Sequence, residues 1–150
     1  MIAYQLSIFA ENKPGVLARI TGVLAKAKIS IRATTISTSD TFGVISLIVD
    51  NPERAKTALT EAGMTVQLRN VLAVLIPDRP GGLDKLVQLL YREGININNA
   101  YGFVLESAEK AVFVVEVEQI EKSEKLLEKN GFKTLDTDTL SAIEPFHHLE

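Results

Sequence analysis

The chain has 150 residues, of which 46% are hydrophobic and 23% charged, with a formal net charge of −3 and no cysteine. That length suits one ordinary domain or two small ones, and that apolar fraction suffices for a packed core. The acidic balance argues against nucleic acid, which needs a basic patch, and the missing cysteine excludes disulfides and thiolate chemistry.

No apolar run reaches the length of a membrane span, and the start MIAYQLSIFAEN lacks the basic and long apolar parts of a signal peptide, so the cytoplasm is the expected location. Residues 4–9 alternate as a half-buried strand should. Val16, Leu17, Ile20, Val23, Leu24 and Ala27 then recur at helical spacing. Residues 29–38 and 42–49 read as two β-branched strands joined by a Ser-Asp-Thr turn. Asn51 followed by Pro52 starts a second helix, which ends at Gly63, and 65–69 form a fourth strand. The order then repeats through VLAVLI, GLDKLVQLLYREG, the strand after Ile95, AVFVVEV, IEKSEKLLEKNG and FKTL.

The second half is a copy of the first. Laying residue 12 on residue 78 matches Pro14 to Pro80, Gly15 to Gly81, Leu17 to Leu83, Leu24 to Leu90 and Ile31 to Ile97. Beyond the middle strands the register slips by two, so that Val44 meets Val112, Leu59 meets Leu127 and Gly63 meets Gly131. The insertion falls in the turn SAEK, and the copies are residues 1–69 and 70–150. Each copy is βαββαβ, the ferredoxin-like split βαβ, in an α+β chain.

In each copy a Pro-Gly turn joins the first strand to the first helix, as NKPGVL at 12–17 and DRPGGL at 78–83. A helix start presents unpaired N–H groups and the positive end of the dipole, and glycine lets a ligand approach that backbone. The alternative is that the pair only shapes a tight corner.

A βαββαβ unit with D/N-x-P-G-x-L at its first turn and an (I/V)-N-I strand resembles the ACT domain, a small regulatory module that binds amino acids. The resemblance implies two ACT units side by side in one eight-stranded antiparallel sheet with helices on one face, and an amino-acid effector at the seam between them. Carried over, one site combines Asn12, Lys13, Pro14, Gly15, Val16 and Leu17 with Asn96, Ile97 and Asn98. The other combines Asp78, Arg79, Pro80, Gly81, Gly82 and Leu83 with Ser30, Ile31 and Arg32. Asn12 and Asn96 occupy the positions that hold polar ligand groups in serine-binding members, and their amides can both donate and accept. The Asp78 site offers less to a carboxylate, and Gly82 either opens room for a larger side chain or loosens the helix start.

Each residue has a structural alternative. Asn12 can cap the helix or fix the turn, Asn96 and Asn98 can simply face water, and Tyr101 and Phe103 can be core or partner-facing aromatics. Catalysis finds no support: there is no thiol, and the only histidines, His147 and His148, lie at the C-terminal end. No cofactor and no metal site is expected. Val71 to Ile76 and Ala111 to Val115 are apolar at every position, which predicts burial on both faces, by a homodimer packing sheet to sheet or by a metabolic enzyme partner. TLSAI at 139–143 is expected to add an edge strand. The reading is a non-catalytic amino-acid-binding regulator; the alternative is a regulatory subunit acting mainly through protein contact.

Overall fold

The computed structural model describes residues 1–142. His147, His148 and the last residue of the TLSAI stretch lie outside the described residues. In chain order the elements are β1 (Ala3–Glu11), α1 (Val16–Lys26), β2 (Ile31–Ser39), β3 (Phe42–Val49), α2 (Pro52–Glu61), β4 (Thr65–Pro77), α3 (Gly82–Arg92), β5 (Ile97–Glu106), β6 (Lys110–Val117), α4 (Ile120–Lys129), β7 (Lys133–Leu135) and α5 (Thr137–Ala142).

Among the described residues there are seven strands, not eight, because the last strand of the first copy and the first strand of the second are one continuous element, β4. No glycine or proline separates Arg69 from Val71, so nothing in the sequence breaks the extended backbone there.

The chain divides into two compact units, one of Tyr4–Arg69 and one of Met1–Ala3 with the residues from Asn70 onward. In the first, β3 pairs antiparallel with both β1 and β2, with Leu6 opposite Leu47 and Ile36 opposite Ile45. Leu6, Ile8, Ile20, Leu24, Ile45, Leu47 and Leu59 build its core. Asn51 caps α2 as expected, its side chain accepting from the Arg54 N–H, with Pro52 opening the helix. The two helices also cap each other. The Arg19 guanidinium of α1 donates to the Ala62 carbonyl at the end of α2, and that of Arg54 donates to Ala27 at the end of α1.

In the second unit β4 lies between β6 and β7, and β5 pairs with β6. Its core contains Leu72, Val74, Leu86, Leu90, Val115 and Leu127, against which Ile2 also packs. Its first residue is anchored in the same unit: the Met1 ammonium donates to Thr134 Oγ1 at 2.8 Å and pairs with Glu124 at 2.7 Å.

Much of both faces of the apolar strands is buried within one chain. Val71, Ala73, Val112 and Val114 are as buried as the core residues that alternate with them. Leu75, Ala111 and Phe113 in the same runs stay half-buried.

Residues 139–142 of the TLSAI stretch are helical, not a strand. Residues 137–142 form α5, because the Asp136 carboxylate accepts from the Thr139 N–H at 2.8 Å and caps a helical turn. Hydrogen bonds from Thr139, side chain first and then backbone, hold the Asp136 carboxyl below the usual carboxylate range. A depressed folded value means that this contribution is present above the unfolded pKa and is lost as pH falls through the folded one. Hydrogen exchange should therefore show α5 losing protection in acid. Asp136→Asn, which still caps, should remove that pH dependence.

Candidate functional site

The two Pro-Gly turns are built alike. Gly15 and Gly81 stand at the N-caps of α1 and α3 with φ of 90° and 86°, left-handed backbone that glycine adopts at little cost. Neither helix start receives a side-chain cap. Asn12 therefore does not cap α1. Its N–H donates to the Thr41 carbonyl at 2.7 Å and its Nδ2 to the Asp40 carbonyl at 3.1 Å, tying the turn to the β2–β3 hairpin. In the second unit the Asp78 N–H donates to the Glu109 carbonyl at 3.1 Å, and Asp78 Oδ2 accepts from the Ala108 N–H at 2.7 Å. One latch thus appears in both copies with its polarity reversed. An amide supplies the donor where the hairpin presents a carbonyl, and a carboxylate supplies the acceptor where it presents an N–H.

Backbone contact accounts for Gly82. It is buried, and a Cβ there would fall far inside contact with the Pro77 carbonyl oxygen and 3.3 Å from its carbon. Lys13 pairs with Glu11 at 3.0 Å, and Pro14, Arg79 and Pro80 are exposed. Leu17 and Leu83, at matching positions on the first helical turns, are left 40% and 41% exposed. Val16 packs partly buried against the first core.

The strand starts lie elsewhere. Ser30 precedes β2, its N–H donating to Asp50 Oδ1 at 3.1 Å while its carbonyl accepts from the Asp50 N–H at 3.2 Å. Asn96 precedes β5 and donates to Asn98 Oδ1 at 3.1 Å, both side chains being exposed. Ile31, Arg32 and Ile97 are half-buried. Within one unit the turn and the strand start are far apart. The turn is latched to the hairpin at the end of β2, and the nine residues of β2 at about 3.3 Å each put Ser30 or Ile31 roughly 30 Å away. A single unit therefore does not bring its own turn and strand start together. Tyr101, on β5, is held neutral: burial first, and the Glu116 carboxylate second, push its hydroxyl above the ordinary range.

Among the described residues no group of three or more His, Cys, Asp or Glu could hold a metal, and no helix is long and apolar enough to cross a membrane.

This duplicated architecture has a known counterpart. A family described as an ACT domain pair matches residues 1–143. The chain belongs to the ACT domain pair family. This pair is similar to the solved structure of protein BT0572 from Bacteroides thetaiotaomicron, at 33% identity and a TM-score of 0.88, over 95% of this chain and 97% of that one. It shares its fold with the regulatory subunit of aspartate kinase from Thermus thermophilus, at 17% identity and a TM-score of 0.62, over 87% and 97%. The subunit of that name from Thermus flavus aligns at 18% identity and 0.55, over 85% and 92%. No curated protein matches the chain.

The latch to the hairpin was invisible in the sequence, since its partners are backbone groups of Asp40 and Ala108. Both residues carry positive φ, 49° and 62°, and Asp40 in the Ser-Asp-Thr turn was the one available hint.

Proposed function

We propose that this ACT domain pair is a non-catalytic cytoplasmic regulator that binds an amino-acid effector and passes the binding to a partner, a metabolic enzyme or a second copy of the chain. The observation that carries the reading is the repeated turn. In both units a left-handed glycine opens an uncapped helix, a leucine beside it stays exposed, and the turn is latched rigidly to a hairpin. Such a turn offers N–H groups to a carboxylate without first having to be ordered. The solved regulatory subunits of aspartate kinase lend the regulatory part of the reading its context.

The ligand contacts belong to Asn12–Leu17 with Asn96–Asn98, and more weakly to Asp78–Leu83 with Ser30–Arg32, each turn working with the strand start of the other copy. Asn12 Nδ2 is engaged by Asp40, so its Oδ1 is the atom left for the ligand's ammonium.

A thermal-shift screen of the twenty amino acids tests this. At a hundred times its Kd a ligand adds about 2.7 kcal/mol, a shift of roughly 5–10 °C for a chain of this size. The expected result is one small polar or branched aliphatic hit, lost in both Asn12→Ala and Asn96→Ala. A cooperative melt unmoved by any amino acid would discard the sensor and leave the subunit that acts by contact.

A further inference from the structure

The first unit contains a cleft of about 240 Å³ beside its Pro-Gly turn, walled in part by Phe9, Glu11, Lys13, Val16, Arg19 and Met64. Glu11 and Lys13 pair at 3.0 Å and neutralise each other. Arg19 has no carboxylate partner among the described residues, which leaves it as the charge that sets the cleft's preference. Its head group is held in place: the guanidinium donates to the Ala62 carbonyl, and one nitrogen lies 3.9 Å from where a Cβ on Gly63 would stand. One hydrogen bond to Ala62 leaves further N–H donors on the same planar group. Phe9, Val16 and Met64 supply apolar wall.

The second unit repeats this only at two positions, the rest of its cleft being lined by Asp84, Gln88, Leu89, Arg92 and Asn130. A cleft of about 450 Å³ runs beside α3 and the residues before β7, with Lys85 where the first copy has Arg19 and Phe132 where it has Met64. A cation and a large apolar side chain recur at the same two places although the residues themselves differ.

We infer that the first cleft binds a compact monocarboxylate with an apolar body, such as a branched 2-oxo acid. The carboxylate pairs with Arg19, and the body lies against Phe9, Val16 and Met64. Drug-sized ligands occupy roughly 300–1,000 Å³, so a cleft of about 240 Å³ suits a smaller molecule. An amino acid of the same skeleton fits less well, because its ammonium must compete with Lys13 for Glu11 or stand beside Arg19. The cleft shares Lys13 and Val16 with the effector site at the first turn, and Arg19, Gly63, Met64 and Thr65 set it apart from that site.

The test is an amide chemical-shift titration of the ¹⁵N-labelled full chain with 4-methyl-2-oxopentanoate and, separately, with leucine. Saturable shifts at Ala10, Gly63 and Thr65 are expected with the oxo acid and weaker ones with leucine. Arg19→Gln should weaken binding about tenfold, the equivalent of about 1.4 kcal/mol. Met64→Trp, which fills the cleft, should abolish these shifts while the spectrum stays dispersed. Oxo-acid shifts confined to Gly15–Leu17 and Asn96–Asn98, shifts that persist in Met64→Trp, tighter binding of leucine at these amides, or no saturable shift at millimolar ligand would each overturn it.

Discussion

Gly82→Ala should destabilise the chain by about 3 kcal/mol, the upper end of what overpacking usually costs. The added Cβ would drive into the Pro77 carbonyl, and that carbonyl is not free to move. Pro77 pairs with Lys110 at the end of β4, and its oxygen accepts from the Arg79 N–H at 3.0 Å. Yielding to the new methyl would disturb the strand ladder and the turn together. The neighbouring Gly81→Ala is the natural comparison. Nothing lies within 4 Å of a Cβ there, so it costs only the left-handed backbone at φ 86°, about 1–2 kcal/mol. Equilibrium guanidinium denaturation should rank wild type above Gly81→Ala, and that above Gly82→Ala. A Gly82→Ala protein as stable as wild type would show that the close approach to Pro77 is not there. The same geometry removes a functional argument. Because backbone contact dictates Gly82, the contrast with Val16 in the first copy carries no information about ligand size.

Local periodicity made most of the fold legible. Alternation found the strands, the spacing of Ile20, Leu24 and their neighbours found α1, and Asn51-Pro52 marked the start of α2 at the right residue. Two features escaped for physical reasons. The end of one copy and the start of the next merged into β4, since adjacent extended segments with no turn residue between them have no readable boundary. At the C-terminal end the analogy with VLAVL suggested a strand, while a local capping bond from Asp136 decided for helix. The candidate site divides in the same way. Its turns were legible because they repeat, whereas the contacts that hold them are tertiary and leave no period in the sequence. Neither Arg19 nor Met64 belongs to the motif, and only their repeat partners Lys85 and Phe132 mark the positions.

Leu24→Ala and Leu90→Ala should each lower stability by about 3 kcal/mol and the Tm by roughly 6–12 °C. The two leucines occupy matching places on the first helix of each copy, and both are fully buried. Truncation removes apolar atoms from contact and leaves a cavity whose walls are strands and helices already fixed by pairing, so little of it can collapse. Leu24 packs among Leu6, Ile8, Leu47 and Leu59, and Leu90 among Leu72, Val74, Val115 and Leu127. If duplication preserved packing as well as topology, the two costs should agree within about 1 kcal/mol. A substantial inequality would mean that one copy relaxes around the void, and hydrogen exchange would then show early opening in the elements that line it. Leu17→Ala and Leu83→Ala supply the contrast. These leucines share the same helices but face solvent, so surface substitution there should change stability by no more than about 0.5 kcal/mol. A large loss at Leu17 or Leu83 would place them in the core and remove them from the proposed effector site. A small loss keeps them available for ligand or partner, the role proposed for the repeated turn.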